Sequence, residues 1–431
     1  MVEIVRLEEK NKEEFVKGLL DRTRPDFSEV DVIVKDILEE VEKNGDSALF
    51  KYTKKFDNVD IDENNICVSR EEVERAYDKV DDKVIAAIKK ASDNIMAFHK
   101  KQARESWYCQ EEGMRLGQKY TPIEIAAVYV PGGTASYPSS VLMNVIPAKV
   151  AGVSEIYMLT PPSKTGEINP AVLVAADIVG IDKIFKVGGA QAIGAAAYGT
   201  ESIKKADKIT GPGNIFVASA KKNVYGICDI DMIAGPSEIV ILADAFSNPK
   251  FLAADMMSQA EHDVLASSVL VTTDESIAVE TKKEIERQIE YLSRKEIIEE
   301  SLRNNASIIL VGDIKEAIDM VNTLAPEHLE LCVEEPFEIL DDIKNAGAIF
   351  MGNYSPEPLG DYFAGPNHVL PTSGTARFFS PLGVDDFVKK SSVISYTREA
   401  LENVSEDIVH FANEEQLDAH ANSIKVRFEG K

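Results

Sequence analysis

The chain has 431 residues, more than one hydrophobic core ordinarily organises, so two or more domains are expected. Its 44% hydrophobic and 28% charged residues are those of a globular protein, and 73 acidic against 47 basic side chains leave a net charge of −26. So acidic a surface repels phosphate backbones and anionic lipid, so neither nucleic acid nor a membrane surface is an expected partner.

The opening residues, Met1-Val2-Glu3-Ile4-Val5-Arg6, are charged and carry no long apolar core, so no secretory signal is expected. No apolar run reaches the roughly 18–20 residues of a membrane span, and a cytoplasmic location is the expectation. Residues 31–44 and 70–101 place apolar side chains three and four apart with charges between, predicting amphipathic helices. From about residue 124 the texture changes. Strands at 125–130, 155–159 and 183–187 alternate with helices at 140–150, 170–179 and 191–198, and Gly211-Pro212-Gly213-Asn214 precedes a helix at 215–224. A second series follows, with strands at 239–242, 268–271, 307–311 and 348–351 and helices at 250–262, 275–292 and 314–323. Strand, short turn and helix in repetition predict parallel βαβ units, hence an α/β fold with two such units. Residues 352–383, punctuated by five prolines and five glycines, read as a long functional loop. A helical tail at 399–423 closes the chain.

Several residues along this frame could carry chemistry. The four cysteines, Cys67, Cys109, Cys228 and Cys332, lie far apart without a Cys-x-x-Cys pair, so idle thiols are expected rather than disulfides. Gln259 and His262, three apart on a predicted helix, share a face and can meet one ion, although such pairs are more often solvated. Asp361 and His368 stand in one loop, where a carboxylate serves either a site or a turn. His420, on the tail helix, reads by itself as an exposed helix histidine. Glu327 and His328 follow Pro326 and supply two adjacent proton-moving groups, or else the first turn of a helix with its acid near the N-terminus. Gly211-Pro212-Gly213-Asn214-Ile215-Phe216 begins a dinucleotide fingerprint but has phenylalanine where the third glycine belongs. Between strand and helix it still suits a phosphate.

Taken in order, eight stretches resemble the histidinol dehydrogenase family from about residue 95 to the end. They are the run from Pro131-Gly132-Gly133 to Asn144, the run from Val187-Gly188-Gly189-Ala190-Gln191 to Ala195, Thr210 to Asn214, Ala234-Gly235-Pro236-Ser237-Glu238, Gln259-Ala260-Glu261-His262-Asp263, Pro326 to Glu330, the Gly360 to Gly374 loop, and Asp418-Ala419-His420. The resemblance implies two incomplete Rossmann-like domains, similar to aldehyde dehydrogenases and built on parallel sheets, with small helical N- and C-terminal domains. It places an N-terminal extension at 1–30, one α/β domain at 31–128 and 238–380, an NAD-binding domain at 129–237, and a dimerisation tail at 381–431. Gln259, His262, Asp361 and His420 match the zinc ligands, and Glu327 and His328 the acid–base pair. Ser237, His368 and Glu415 match substrate contacts; Tyr129, Gln191 and Asn214 match NAD contacts. His420 and Glu415 are expected from the partner subunit of a homodimer. Gln416 stands where many members have glycine. The activity so implied is oxidation of L-histidinol, through the aldehyde, to L-histidine with two NAD reduced. Two histidines, an aspartate and a glutamine make a donor set suited to zinc, with manganese or cobalt as substitutes. A zinc hydrolase with Glu327 activating water is the competing reading, which leaves the two α/β units without a purpose.

Overall fold

The computed structural model describes residues 2–6, 12–22, 26–132, 137–181 and 183–430. Parts of the expected 1–30 extension, and residues 133–136 of the Pro131–Asn144 motif, lie outside the described residues. The strands in chain order are β1 Glu3–Arg6, β2 Trp107–Glu111, β3 Met114–Pro122, β4 Ile125–Tyr129, β5 Glu155–Leu159, β6 Lys183–Phe185 and β7 Lys208–Thr210. They continue as β8 Asp229–Ile230, β9 Glu238–Ala243, β10 Ser267–Thr272, β11 Ala306–Leu310, β12 His328–Cys332, β13 Ala348–Met351 and β14 Val388–Tyr396.

Two compact units result: residues 1–102 with 123–387, and residues 103–122 with 388–431. The larger holds two parallel sheets, ordered β6-β5-β4-β7-β8 and β1-β11-β10-β9-β12-β13. Counted within each βαβ series, both follow the order third, second, first, fourth, fifth, which is the doubly wound Rossmann order without its sixth strand. The second sheet adds β1 at its edge. The expected pair of incomplete Rossmann-like units is therefore present.

Both sheets are covered on both faces, which is why their strands are continuous apolar runs such as Glu238-Ile239-Val240-Ile241-Leu242-Ala243, all buried. Alternate side chains feed different cores. Ala127, Tyr129, Tyr157 and Leu159 face one core, and Ala126, Val128 and Met158 the other. In the second sheet Ile239 and Ile241 point opposite to Val240 and Leu242. The covering helices start where the sequence supplies caps: Asn169, Asn214, Asn248, Asp274 and Asp313 each accept a backbone N–H of the following turn, worth about 1 kcal/mol apiece.

The packing differs from the sequence grouping of 31–128 with 238–380. Helices Ser28–Asn44 and Asp46–Asp57 bury Val34, Ile37, Val41 and Leu49 against the five-stranded sheet. Helix Asp82–His99 buries Ile88 and Ile95 on that sheet's other side, and β4 itself crosses the 128/129 boundary. Helical periodicity identifies a helix and its apolar face but not which of two apolar sheets receives it.

The smaller unit carries an antiparallel sheet, β14-β3-β2, so the tail expected to be helical is part strand. Helices Arg398–Glu414 and Asp418–Lys425 follow β14. Between them Gln416 has φ +60, the left-handed backbone that favours glycine, which is why glycine suits this position.

Candidate active site

Strands β9 and β12 run side by side, and their N-terminal ends hold the proton-moving pair. The residue that aligns both is Glu238, through its backbone. Its N–H donates to Glu327 Oε2 at 2.9 Å, and its carbonyl accepts from His328 Nδ1 at 3.0 Å. A carbonyl only accepts, so Nδ1 carries the hydrogen, and a neutral His328 presents the lone pair of Nε2. That atom is buried without a hydrogen-bond partner, 3.8 Å from Asp361 Oδ1 and 4.0 Å from Glu357 Oε1. Pro326 thus opens no helix here, because His328 is committed to the parallel ladder.

The loop expected at 352–383 contains a short helix, Glu357–Tyr362. It sets Glu357 and Asp361 one turn apart on one face. Glu357 is anchored by its N–H donating to Glu330 Oε1 at 2.8 Å and by the Ser258 hydroxyl donating to its Oε2 at 3.2 Å. His368 donates from Nδ1 to the Asp361 carbonyl at 3.0 Å. Helix Pro249–Ala260 stops two residues short of the expected 262, and the His262 N–H turns back to the Gln259 carbonyl. Ligand atoms of His262, Glu357 and Asp361 lie within 4.8 Å of one another.

These residues fit a metal ion. Gln259 is fully buried with both amide atoms lacking a hydrogen-bond partner, and Glu357 Oε1 is unpartnered as well. Each such group costs about 1–3 kcal/mol unless something binds it. An imidazole, two carboxylates and an amide oxygen are a nitrogen–oxygen set that suits zinc. Glu357 is the residue that sequence reasoning missed. Its signal was the Glu-x-x-x-Asp spacing to Asp361, obscured because Pro356 and Pro358 made the segment read as loop.

Burial and neighbours set the charges. Burial pushes Glu327 up to about 8 against the opposing pull of His328. For His328 burial favours the neutral ring, but Glu327 and then Asp361 and Glu357 outweigh it and raise its proton affinity well above the ordinary range. Burial opposes ionised Asp361 too, yet the surrounding histidines hold its carboxyl below the usual value. Burial raises Glu357. A dense set of carboxylates around one imidazole is poised for a cation.

The remaining expected residues divide among three places. Ser237 immediately precedes β9. Glu415 and His420 belong to the smaller unit, where both are exposed. Tyr129, Gln191 and Asn214 all line one cavity of about 1170 Å³ beside the C-terminal ends of the five-stranded sheet. Tyr129 is buried and its hydroxyl accepts the Gly189 N–H at 3.1 Å; Gln191 Oε1 is buried and unpartnered. Asn214 caps helix Ile215–Val224, accepting from Phe216 and Val217 N–H at 3.1 and 3.2 Å. Its side-chain oxygen is thereby occupied, leaving its amide nitrogen for a ligand.

A Rossmann-ordered sheet with a nucleotide-sized cavity, beside a second one bearing a histidine–carboxylate centre, defines an α/β oxidoreductase. The chain matches the family model described as histidinol dehydrogenase over residues 20–428. A relative from Clostridium acetobutylicum, named histidinol dehydrogenase, is 58% identical over 417 residues, covering 96% of each chain. One of the same name from Bacillus cereus is 57% identical over 397 residues and 92% of each chain. The crystal structure of histidinol dehydrogenase from Elizabethkingia anophelis superimposes with a TM-score of 0.93 at 39% identity, over 99% of this chain and 98% of that one. The chain belongs to the histidinol dehydrogenase family.

Proposed function

We propose that this protein oxidises L-histidinol to L-histidine in two successive hydride transfers to NAD, with L-histidinaldehyde held between them. The observation that carries the reading is the unpartnered His328 Nε2, fixed by the Glu238 carbonyl and facing the Asp361–Glu357 pair. His262, Asp361 and Gln259 would hold zinc, with Glu357 beside them and His420 supplied by a second copy. When bound, zinc supplies positive charge that anchors the substrate's amine and imidazole and lowers the proton affinity of its neighbours.

In the first oxidation His328 Nε2 takes the alcohol proton while the carbinol hydride leaves for NAD. Glu327, ionised, then takes a proton from water as the oxygen adds to the aldehyde carbon, and His328 returns its proton to the former carbonyl oxygen, which gives the hydrate and frees Nε2 again. In the second oxidation His328 takes a hydroxyl proton of that hydrate, and its C–H hydride reduces a second NAD. His368, with Nδ1 committed to the Asp361 carbonyl, presents Nε2 for a substrate contact. Ser237 and Glu415 complete the substrate contacts. Tyr129, Gln191 and Asn214 bind the coenzyme.

A homodimer is part of this reading. In residues 103–122 and 388–430 the only buried hydrophobic side chains among the described residues are Ala412 and Ala421. The same unit exposes Trp107, Leu116, Ile394 and Phe411, surface that a second copy would cover.

The test is NADH formation from L-histidinol before and after chelation, with zinc returned. Two equivalents per substrate, lost on chelation and restored by zinc, are expected. The Glu327→Gln variant should keep the first equivalent and lose the second. No reduction by folded, zinc-loaded protein would overturn the assignment.

A further inference from the structure

The coenzyme cavity contains a carboxylate that the reaction above does not use. Asp57 is the last residue of helix Asp46–Asp57, followed by Asn58 with a left-handed φ of +59. A negative charge there faces the negative end of the helix dipole, so local structure gives no reason for it. Asp57 lines the same cavity as Tyr129, Gln191 and Asn214. Its Oδ2 is buried with no hydrogen-bond partner, and among the described residues no ion pair involves it. Burial accordingly pushes the carboxyl up to about 6. With Gln191 Oε1, the cavity wall holds two buried side-chain oxygens that accept no hydrogen bond, although Lys55, Lys164 and Asn214 also line it. A ligand rich in hydroxyl donors supplies what is missing.

The sheet order sharpens this. In Rossmann-type units the acid that reads a ribose hydroxyl stands at the end of the second strand. Here that strand is β5, and Thr160-Pro161-Pro162-Ser163-Lys164 follows it without an acid. Two acids line the cavity, Asp57 and Glu167. Glu167 is 62% exposed and 3.4 Å from Lys79, whereas Asp57 is half-buried and its Oδ2 is fully buried and unpaired.

We propose that Asp57, projected from a helix outside the βαβ series, accepts hydrogen bonds from the adenosine ribose hydroxyls of the coenzyme and makes the site select NAD over its 2′-phosphorylated form. This rests on the dinucleotide reading of the cavity. A bound ribose restores the donors that Oδ2 lacks, while a 2′-phosphate would bring a second negative charge into the same enclosure.

The experiment is direct titration of NAD and NADP into the zinc-loaded parent and into Asp57→Asn and Asp57→Ala, with steady-state kinetics on L-histidinol. Thermal melting checks that the variants are folded. Loss of a charged acceptor should raise the dissociation constant and KM for NAD about tenfold or more. The kcat at saturating NAD should stay within about twofold, and preference should move toward NADP by about tenfold or more. NAD affinity equal to the parent's in both folded variants overturns the role of Asp57 alone, as does a loss confined to kcat. A parent that binds neither nucleotide overturns the dinucleotide reading with it.

Discussion

Glu238 positions Glu327 and His328 with its backbone, which leaves its buried side chain free of that task. Burial pushes this carboxyl from 4.5 up to about 7, against backbone donors at Gly374 and Ser373. The folded protein therefore keeps a proton that the unfolded chain has released. That contribution to stability is complete below pH 4.5 and is lost as pH rises through 7. Glu238→Gln keeps the backbone bonds and removes the titration. Its stability should gain on the parent's by up to about 3 kcal/mol between pH 5 and pH 8, measured by urea unfolding. A difference that does not change with pH would mean the carboxyl is solvated. At this scale the sequence was readable wherever a side chain acts within its own segment, as with Glu327 beside His328. Glu357 was not, because its role comes from Ser258, Glu330 and His328, which reach it from two other elements, helix Pro249–Ala260 and β12.

At the scale of elements, the turn after β7 is held more tightly than its glycine pattern suggests. The Gly211 N–H donates to Asp231 Oδ2 at 2.8 Å, and its carbonyl accepts from Lys221 Nζ at 2.9 Å. Lys221 and Asp231 also pair with each other, both almost wholly buried. Gly211 has φ +110, and a Cβ there would lie 2.0 Å from the Tyr129 carbonyl oxygen. Gly226 has a similar φ of +102 but nothing within 4 Å. Gly226→Ala should thus cost only conformational strain, about 1 kcal/mol. Gly211→Ala adds a backbone clash and should cost about 3 kcal/mol or more, with weakened NAD binding, read from denaturant unfolding and nucleotide titration. Equal costs would show that the turn yields freely. The two sheets also use opposite ends: the cavity lined by Tyr129, Gln191 and Asn214 lies at the C-terminal ends of one, while Glu327 and His328 sit at the N-terminal end of β12 in the other. Strand order predicts a site at the carboxyl ends, and only the first sheet obeys it.

For the whole molecule, the decisive question is where His420 acts. It is exposed on helix Asp418–Lys425 of the smaller unit. If a second copy supplies it, His420→Ala and Glu327→Ala should each be inactive alone. Mixed dimers of the two would contain one site with both residues intact and should recover about half of the parent's activity per hybrid. Activity that never returns on mixing would place the residue within its own subunit. Among the described residues no helix is long and apolar enough to cross a membrane.

The sequence by itself determined the parallel α/β units, their strand and helix order, the capped helix starts, and the family through its local motifs. These are properties of short windows: apolar periodicity, cap residues and turn chemistry act within about ten residues. The tertiary structure alone decided that helices Ser28–Asn44 and Asp82–His99 cover the five-stranded sheet, that Glu357 joins His262 and Asp361, and that Asp57 lines the same cavity as Tyr129, Gln191 and Asn214. It also decided that the tail contains β14, whose partner β3 lies more than 260 residues earlier in the chain. Each of these depends on surfaces distant in sequence meeting in space, and burial, not local propensity, selects the partner.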